Sequence, residues 1–179
     1  MPILYISKED HHFEKIENFD QIKEYVTKRG IMLEKWEASS PIDDGSTQDE
    51  ILKAYDHKLK PFMNKNGFQS ADVVNIHNKT ENIEAIREKF LKEHTHSEDE
   101  VRFFIDGAGK FWFHLDSGEV FCLYCQKGDF ISVPKGFKHW FDLAPDYHVK
   151  AIRIFLNTEG WIAQYTDSGV DIPYNKAEL

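Results

Sequence analysis

The chain has little cysteine. Cys122 and Cys125 are the two among 179 residues, which leaves no second pair to complete a zinc knuckle and no disulfide framework. Phe121-Cys122-Leu123-Tyr124-Cys125 reads as a strand. Residues three apart on a strand face opposite sides, so the pair is expected to be reduced and structural. Positive charge is also short. The 22 Lys and Arg against 31 Asp and Glu leave a formal net charge of -9, which argues against nonspecific binding to nucleic acid or to an anionic membrane. No apolar run approaches a membrane span, and Met1-Pro2-Ile3 lacks the basic-then-apolar layout of a secretory signal. A cytoplasmic protein without nucleic-acid or membrane partners is expected. There is no G-x-S-x-G elbow, and Gly107-Ala108-Gly109 suits a hairpin turn better than a phosphate loop. Internal repeats, low-complexity tracts and interdomain linkers are missing too, so residues 1–179 are read as one domain.

What is present is a mixed first third and a strand-rich remainder. Ile3 to Ile6 and Ile31 to Trp36 suggest strands. Phe19, Ile22, Tyr25 and Val26 fall at helical spacing within 16–28, and Gly30 ends that helix. After a loop at 39–46, Thr47-Gln48-Asp49-Glu50 is a capping box. It starts a helix whose apolar face carries Ile51, Ala54, Tyr55, Leu59, Phe62 and Met63. From Asp72 the texture turns to β. Val73 to Ile76 is strand-like, a short helix covers 82–90, and short strands follow near 100–106, 110–115, 119–124, 130–133, 138–142 and 148–155. Such short, regularly punctuated strands predict a sandwich or closed barrel with helices packed around it.

The informative segment is His94-Thr95-His96-Ser97-Glu98-Asp99-Glu100, together with Pro134-Lys135-Gly136-Phe137-Lys138-His139. If 94–100 runs as a strand, His94, His96 and Glu100 share a face, and His139 closes the set from a neighbouring strand. Three nitrogens and one oxygen suit Fe, Ni, Mn or Zn better than Ca or Mg. Glu98 shares the parity of Glu100 and is its rival. Arg102 shares it as well, and points a cation into the same cavity. Arg153, inside an apolar strand, is either a second pocket cation or half of a buried structural pair. Glu93 and Asp99 are either acceptors for ligand imidazole N–H groups or solvated acids. Among the other histidines, His114 sits mid-strand and is read as a core or rim residue, since four ligands already complete the set.

These residues resemble a family. His94, His96, Glu100 and Gly107 resemble the first cupin motif. Gly128, Pro134, Gly136 and His139 resemble the second, which departs from the usual pattern at Leu143, where cupins often carry a non-ligating Asn. The run Lys89 to Phe104, with Ile131-Ser132-Val133-Pro134, His139-Trp140-Phe141-Asp142 and 151–164, is similar to the signature of acireductone dioxygenases. The resemblance favours Glu100 over Glu98. It implies a mainly β fold with peripheral helices, a cupin jelly-roll barrel whose core spans about 72–163. It also implies one Fe(2+) or Ni(2+) per chain and no organic cofactor.

The implied substrates are the acireductone 1,2-dihydroxy-3-keto-5-methylthiopentene and dioxygen, in methionine salvage, with the chain acting as a monomer. Iron would give 4-methylthio-2-oxobutanoate and formate; nickel would give 3-methylthiopropanoate, formate and carbon monoxide. Four protein ligands on an octahedral ion leave two adjacent positions for an enediolate. The family assigns Glu93 a role in metal incorporation and Asp99 one in relaying conformational change, and it places Phe90, Phe141 and Trp161 along the pocket. For those aromatic residues plain core packing is the competing role. The alternatives are another metal cupin dioxygenase or isomerase, or a non-catalytic ligand-binding cupin. Arg102 and the 93–102 run argue against the last.

Overall fold

The structure, a computed structural model, describes residues 1–9, 12–157 and 162–179. Its elements run β1 (Ile3–Ser7), β2 (Phe13–Ile16), α1 (Phe19–Thr27), β3 (Met32–Lys35), α2 (Gln48–Ala54), α3 (Asp56–Asn66), β4 (Ser70–Ile76) and α4 (Ile83–Phe90). There follow β5 (His94–Thr95), β6 (Glu100–His114), β7 (Val120–Gln126), β8 (Asp129–Val133), β9 (Lys138–Asp142), β10 (Val149–Phe155), β11 (Gln164–Tyr165) and α5 (Asp171–Tyr174). The expected mainly β architecture with peripheral helices is what the chain adopts.

One long strand organises the two layers. The first half of β6 pairs antiparallel with β10 and β8, which continue to β4 and β3. Its second half pairs with β7 and β9, which continue to β1 and β2 and to β5 and β11. The sequence suggested a hairpin at Gly107-Ala108-Gly109, and the chain instead runs straight through. Its bulge lies just before. Phe104 pairs with Ala151 and Asp106 with Lys150, so Ile105 is the extra residue. One extra residue reverses which side chains face inward. Phe104 faces the main core before the bulge, and Phe111 and Phe113 face it after, while Trp112 joins an outer cluster. Glycine is required for closeness rather than reversal. A Cβ on Gly107 (φ +67) would stand 2.1 Å from the His148 carbonyl oxygen, and one on Gly109 would stand 2.1 Å from the Phe141 ring.

The main core lies between the layers and draws Leu4, Leu33, Phe104, Phe121, Ile131 and Phe141 from both. Helices α2 and α3 cover the outer face of the β6–β10 layer through Ile51, Tyr55 and Leu59. They replace the single helix expected there. The break is at Tyr55, whose backbone leaves helical geometry (φ -104, ψ 6). The capping box forms as read, with the Glu50 N–H donating to Thr47 Oγ1 and the Thr47 N–H to Glu50 Oε2. Cys125 belongs to the main core and Cys122 to the outer cluster around Trp112 and Trp140. The two thiols therefore face opposite sides, and both are free and buried.

Candidate metal centre

Residues 94–100 are not one strand. His94 lies on β5 directly opposite His139 of β9, His96 lies in the following loop, and Glu100 opens β6. The loop is tied down from across the site: Gly136 N–H donates to the His96 carbonyl at 2.9 Å, and Lys135 N–H donates to Asp99 Oδ1 at 2.9 Å. Those two bonds fix the segment's path where continuous strand geometry was expected to. The turn at 134–137 that they hold then leads into β9 and brings in His139.

One potential donor atom from each of His94, His96, Glu100 and His139 lies within 4.8 Å of the other three, and all four side chains are buried. Three histidines and one carboxylate, buried together between strands, fit a divalent transition ion. The imidazole hydrogen bonds make the fit specific. His94 Nδ1 meets the Lys92 carbonyl at 2.7 Å, His96 Nδ1 the Ile162 carbonyl at 3.1 Å, and His139 Nδ1 the Phe137 carbonyl at 2.8 Å. A carbonyl only accepts, so each Nδ1 carries a proton, and Nε2 is the atom each ring offers to the centre. Burial, with His139 beside it, lowers the His94 pKa to about 4. That ring stays neutral and ready to ligate at neutral pH. Burial alone would raise Glu100, but Arg102 and His139 outweigh it and hold the carboxyl well below the usual range.

Glu100 Oε2 stands 2.7 Å from His139 Nε2 and 3.2 Å from His96 Nε2, while Oε1 faces Arg102 Nε at 2.7 Å. The guanidinium also lies 4.8 Å from the Phe141 ring centre and 5.1 Å from that of Phe111. This is a buried cation held by a carboxylate and two aromatic faces. The cluster opens into a cavity of about 200 Å3. Phe90 and Phe141 line it, edge to face at 6.4 Å. Arg87 on α4 grips Asp142 on β9 at 2.7 and 3.1 Å, which holds Phe90 near that wall.

The other residues singled out from the sequence fall in several places. Arg153 lines the cavity and also pairs with Asp72, Nε to Oδ1 at 2.7 Å, but the pair is part-exposed, not the buried pair that was one of its two alternatives. Glu93 is buried and accepts from Thr166 Oγ1, from Ser168 Oγ at 2.7 Å and from His114 Nδ1 at 2.7 Å. The hydrogen bonds found for Glu93 and Asp99 therefore run elsewhere than to a ligand imidazole. Glu98 accepts from Asn157 and stands apart from the cluster. His114 is the partly buried rim residue that pairs with Glu93. Trp161 lies outside the described residues. Sequence reasoning gave no site role to Lys89, Ala163 or Tyr165, which also line the cavity. Tyr165 reaches it from β11 and Ala163 from just before that strand, which pairs with β5 over two residues, too short a run to show alternation.

The fold and this centre define a metal-binding cupin. Comparison with known proteins narrows the class. Residues 5–163 match the ARD/ARD' family. An acireductone dioxygenase of Picosynechococcus sp. is 55% identical over 158 residues, 88% of this chain and 90% of the relative. One of Aquifex aeolicus is 41% identical over 158 residues, 88% of this chain and 86% of the relative. The solved structure described as acireductone dioxygenase from Bacillus anthracis with cadmium ion in active center superimposes with a TM-score of 0.84. It is 32% identical and covers 92% of this chain and 98% of that one. The chain belongs to the ARD/ARD' family, the acireductone dioxygenases.

Proposed function

We propose that this protein cleaves 1,2-dihydroxy-3-keto-5-methylthiopentene with dioxygen, in methionine salvage. The observation that carries the reading is the buried three-histidine, one-glutamate cluster with Arg102 beside it, at the end of a small, partly apolar cavity. A bound iron or nickel ion would act as Lewis acid and template for an enediolate.

The chain's own groups do the rest. His94, His96, Glu100 and His139 would hold the ion, and three backbone carbonyls keep their imidazoles in the ligating tautomer. Arg102, 6% exposed, favours the deprotonated substrate because its charge acts where little water screens it. Phe90 and Phe141 offer an apolar wall for the methylthio tail. A cavity of about 200 Å3 takes a small molecule and excludes a polymer. The substrate supplies the electrons for dioxygen, so no organic cofactor is invoked. We read residues 1–179 as one domain with its barrel core at about 72–163, working as a cytoplasmic monomer.

The metal selects the products. Iron gives 4-methylthio-2-oxobutanoate and formate; nickel gives 3-methylthiopropanoate, formate and carbon monoxide, each set accounting for both oxygen atoms. The same four residues would hold either ion, and ions of different size and preferred geometry would polarise one enediolate differently. The test is metal-stripped protein reconstituted separately with iron and nickel under confirmed full occupancy. Different product sets are expected. Identical sets from both forms would sink the metal switch, and oxygen uptake no faster than the spontaneous reaction would sink the activity itself.

A further inference from the structure

Asp72, Arg153 and Arg102 stand in one row across three neighbouring strands. Arg153 on β10 is directly opposite Asp72 on β4 and directly opposite Arg102 on β6. Like charges opposed across a ladder repel, yet both cations face the same cavity. Each is anchored by a carboxylate. Glu100 meets Arg102 at 2.7 Å, and Asp72 meets Arg153 at 2.7 Å through Nε and again through Nη2. The second contact is the planar, two-point grip that only a guanidinium can make with a carboxylate. It fixes the plane of Arg153 as well as its position. Asp72 is not part of the cavity wall.

We propose that Asp72 is a positioning residue: by gripping Arg153 it sets the two guanidiniums side by side as a clamp for ligands with several adjacent anionic oxygens. This rests on the reading of the cavity as an acireductone site and deepens it. An acireductone head carries three neighbouring oxygens, and an ion held by His94, His96, Glu100 and His139 would engage only part of that head. The clamp faces the remaining negative charge and favours such heads over ligands with a single oxygen. The contribution is uniform binding, expressed in KM rather than kcat.

The position of Asp72 makes the sign of the effect diagnostic. If the carboxylate merely neutralised the pocket, Asp72→Asn would leave the site more positive and tighten anion binding. If it positions Arg153, the same change weakens binding. Asp72 is 31% exposed, so solvent screens its long-range field, and positioning is expected to win.

The experiment uses zinc-loaded protein, which is redox-inert, and reductic acid, a stable cyclic enediol conjugated to a ketone that carries the three oxygens without the tail. Calorimetry gives its affinity for wild type, Asp72→Asn, Arg153→Gln and the double variant, with zinc content checked in each. Asp72→Asn is expected to lose affinity by about tenfold, the scale of one charge-assisted contact. The double variant should bind no worse than Arg153→Gln alone, because Asp72 acts through Arg153. Arg153→Lys keeps the charge and loses the two-point grip, so it should fall nearly as far; it also serves if Asp72→Asn does not fold. Unchanged or tighter binding in Asp72→Asn or Arg153→Lys overturns the proposal. So do losses that multiply in the double variant, and so does a wild type that fails to bind the probe. Failure of the iron- and nickel-loaded wild type to consume acireductone would instead strike the activity, without touching these affinities.

Discussion

Arg102 Nε lies 2.7 Å from Glu100 Oε1, and both side chains are buried. They are two apart on the first turn of pleat in β6, so the backbone alone puts them on one face. The carboxylate therefore links two functions: one oxygen faces the imidazoles and the other holds the cation that would meet the substrate.

From this pairing, Arg102→Ala is expected to keep about one metal ion per chain and to lower turnover by roughly 100- to 1,000-fold, the usual loss when one charge-stabilising donor is removed. Metal analysis and steady-state rates on the same preparation decide it. Loss of the metal along with activity would mark Arg102 as a support for Glu100.

The imidazole orientation can be tested by ligand-linked stability. Metal added at about 100 times its dissociation constant should stabilise the wild type by roughly 2.7 kcal/mol, seen as a rise in Tm. His96→Ala removes one of four donors and should abolish most of that rise at the same metal concentration. An undiminished shift would place the ion elsewhere.

Acid should act on the metal-free protein through His94. Its folded pKa is about 4 against an ordinary 6.5, so the unfolded chain takes up the proton first. The stability tied to its neutral form is complete above about 6.5 and is lost as the pH falls toward 4, by about 3 kcal/mol in all. Glu100, also depressed, works in the same direction from below its ordinary pKa. Urea unfolding between pH 7 and 4 should show this slope, and His94→Gln should flatten it. Equal slopes in the two proteins would contradict the assignment.

Two glycines separate close approach from simple conformational freedom. Both Gly107 and Gly118 have positive φ, but a Cβ on Gly107 would meet the His148 backbone at 2.1 Å, whereas nothing lies within 4 Å of one on Gly118. Gly118→Ala is expected to cost about 1 kcal/mol. Gly107→Ala should cost about 3 kcal/mol or more, since backbone must move. Denaturant midpoints measure the difference, and equal costs would show that the strand yields there.

Much of the site was legible because its chemistry is local. His94, His96 and Glu100 lie within seven residues, and Arg102 follows in register on a real strand. The capping box was readable for the same reason, since both its bonds span three residues. The hairpin expected at Gly107 was a misreading of glycine, which marks tight packing as readily as reversal. Asp72 and Lys89 carried no signal of a role at the site. Asp72 earns its place only through pairing with Arg153, 81 positions away.

The sequence by itself determined the donor types, the β-rich barrel class and the opposite facings of Cys122 and Cys125, all of which follow from residue chemistry and a period of two. Tertiary structure decided how the donors meet. His94 reaches His139 by strand pairing across 45 residues of chain, His96 is aimed by the Ile162 carbonyl, and its loop is held by Gly136 and by Lys135 on Asp99. Those are hydrogen bonds between backbone groups or to them, and every residue carries such groups. No side-chain pattern announces them, so only the folded chain shows which ones come together.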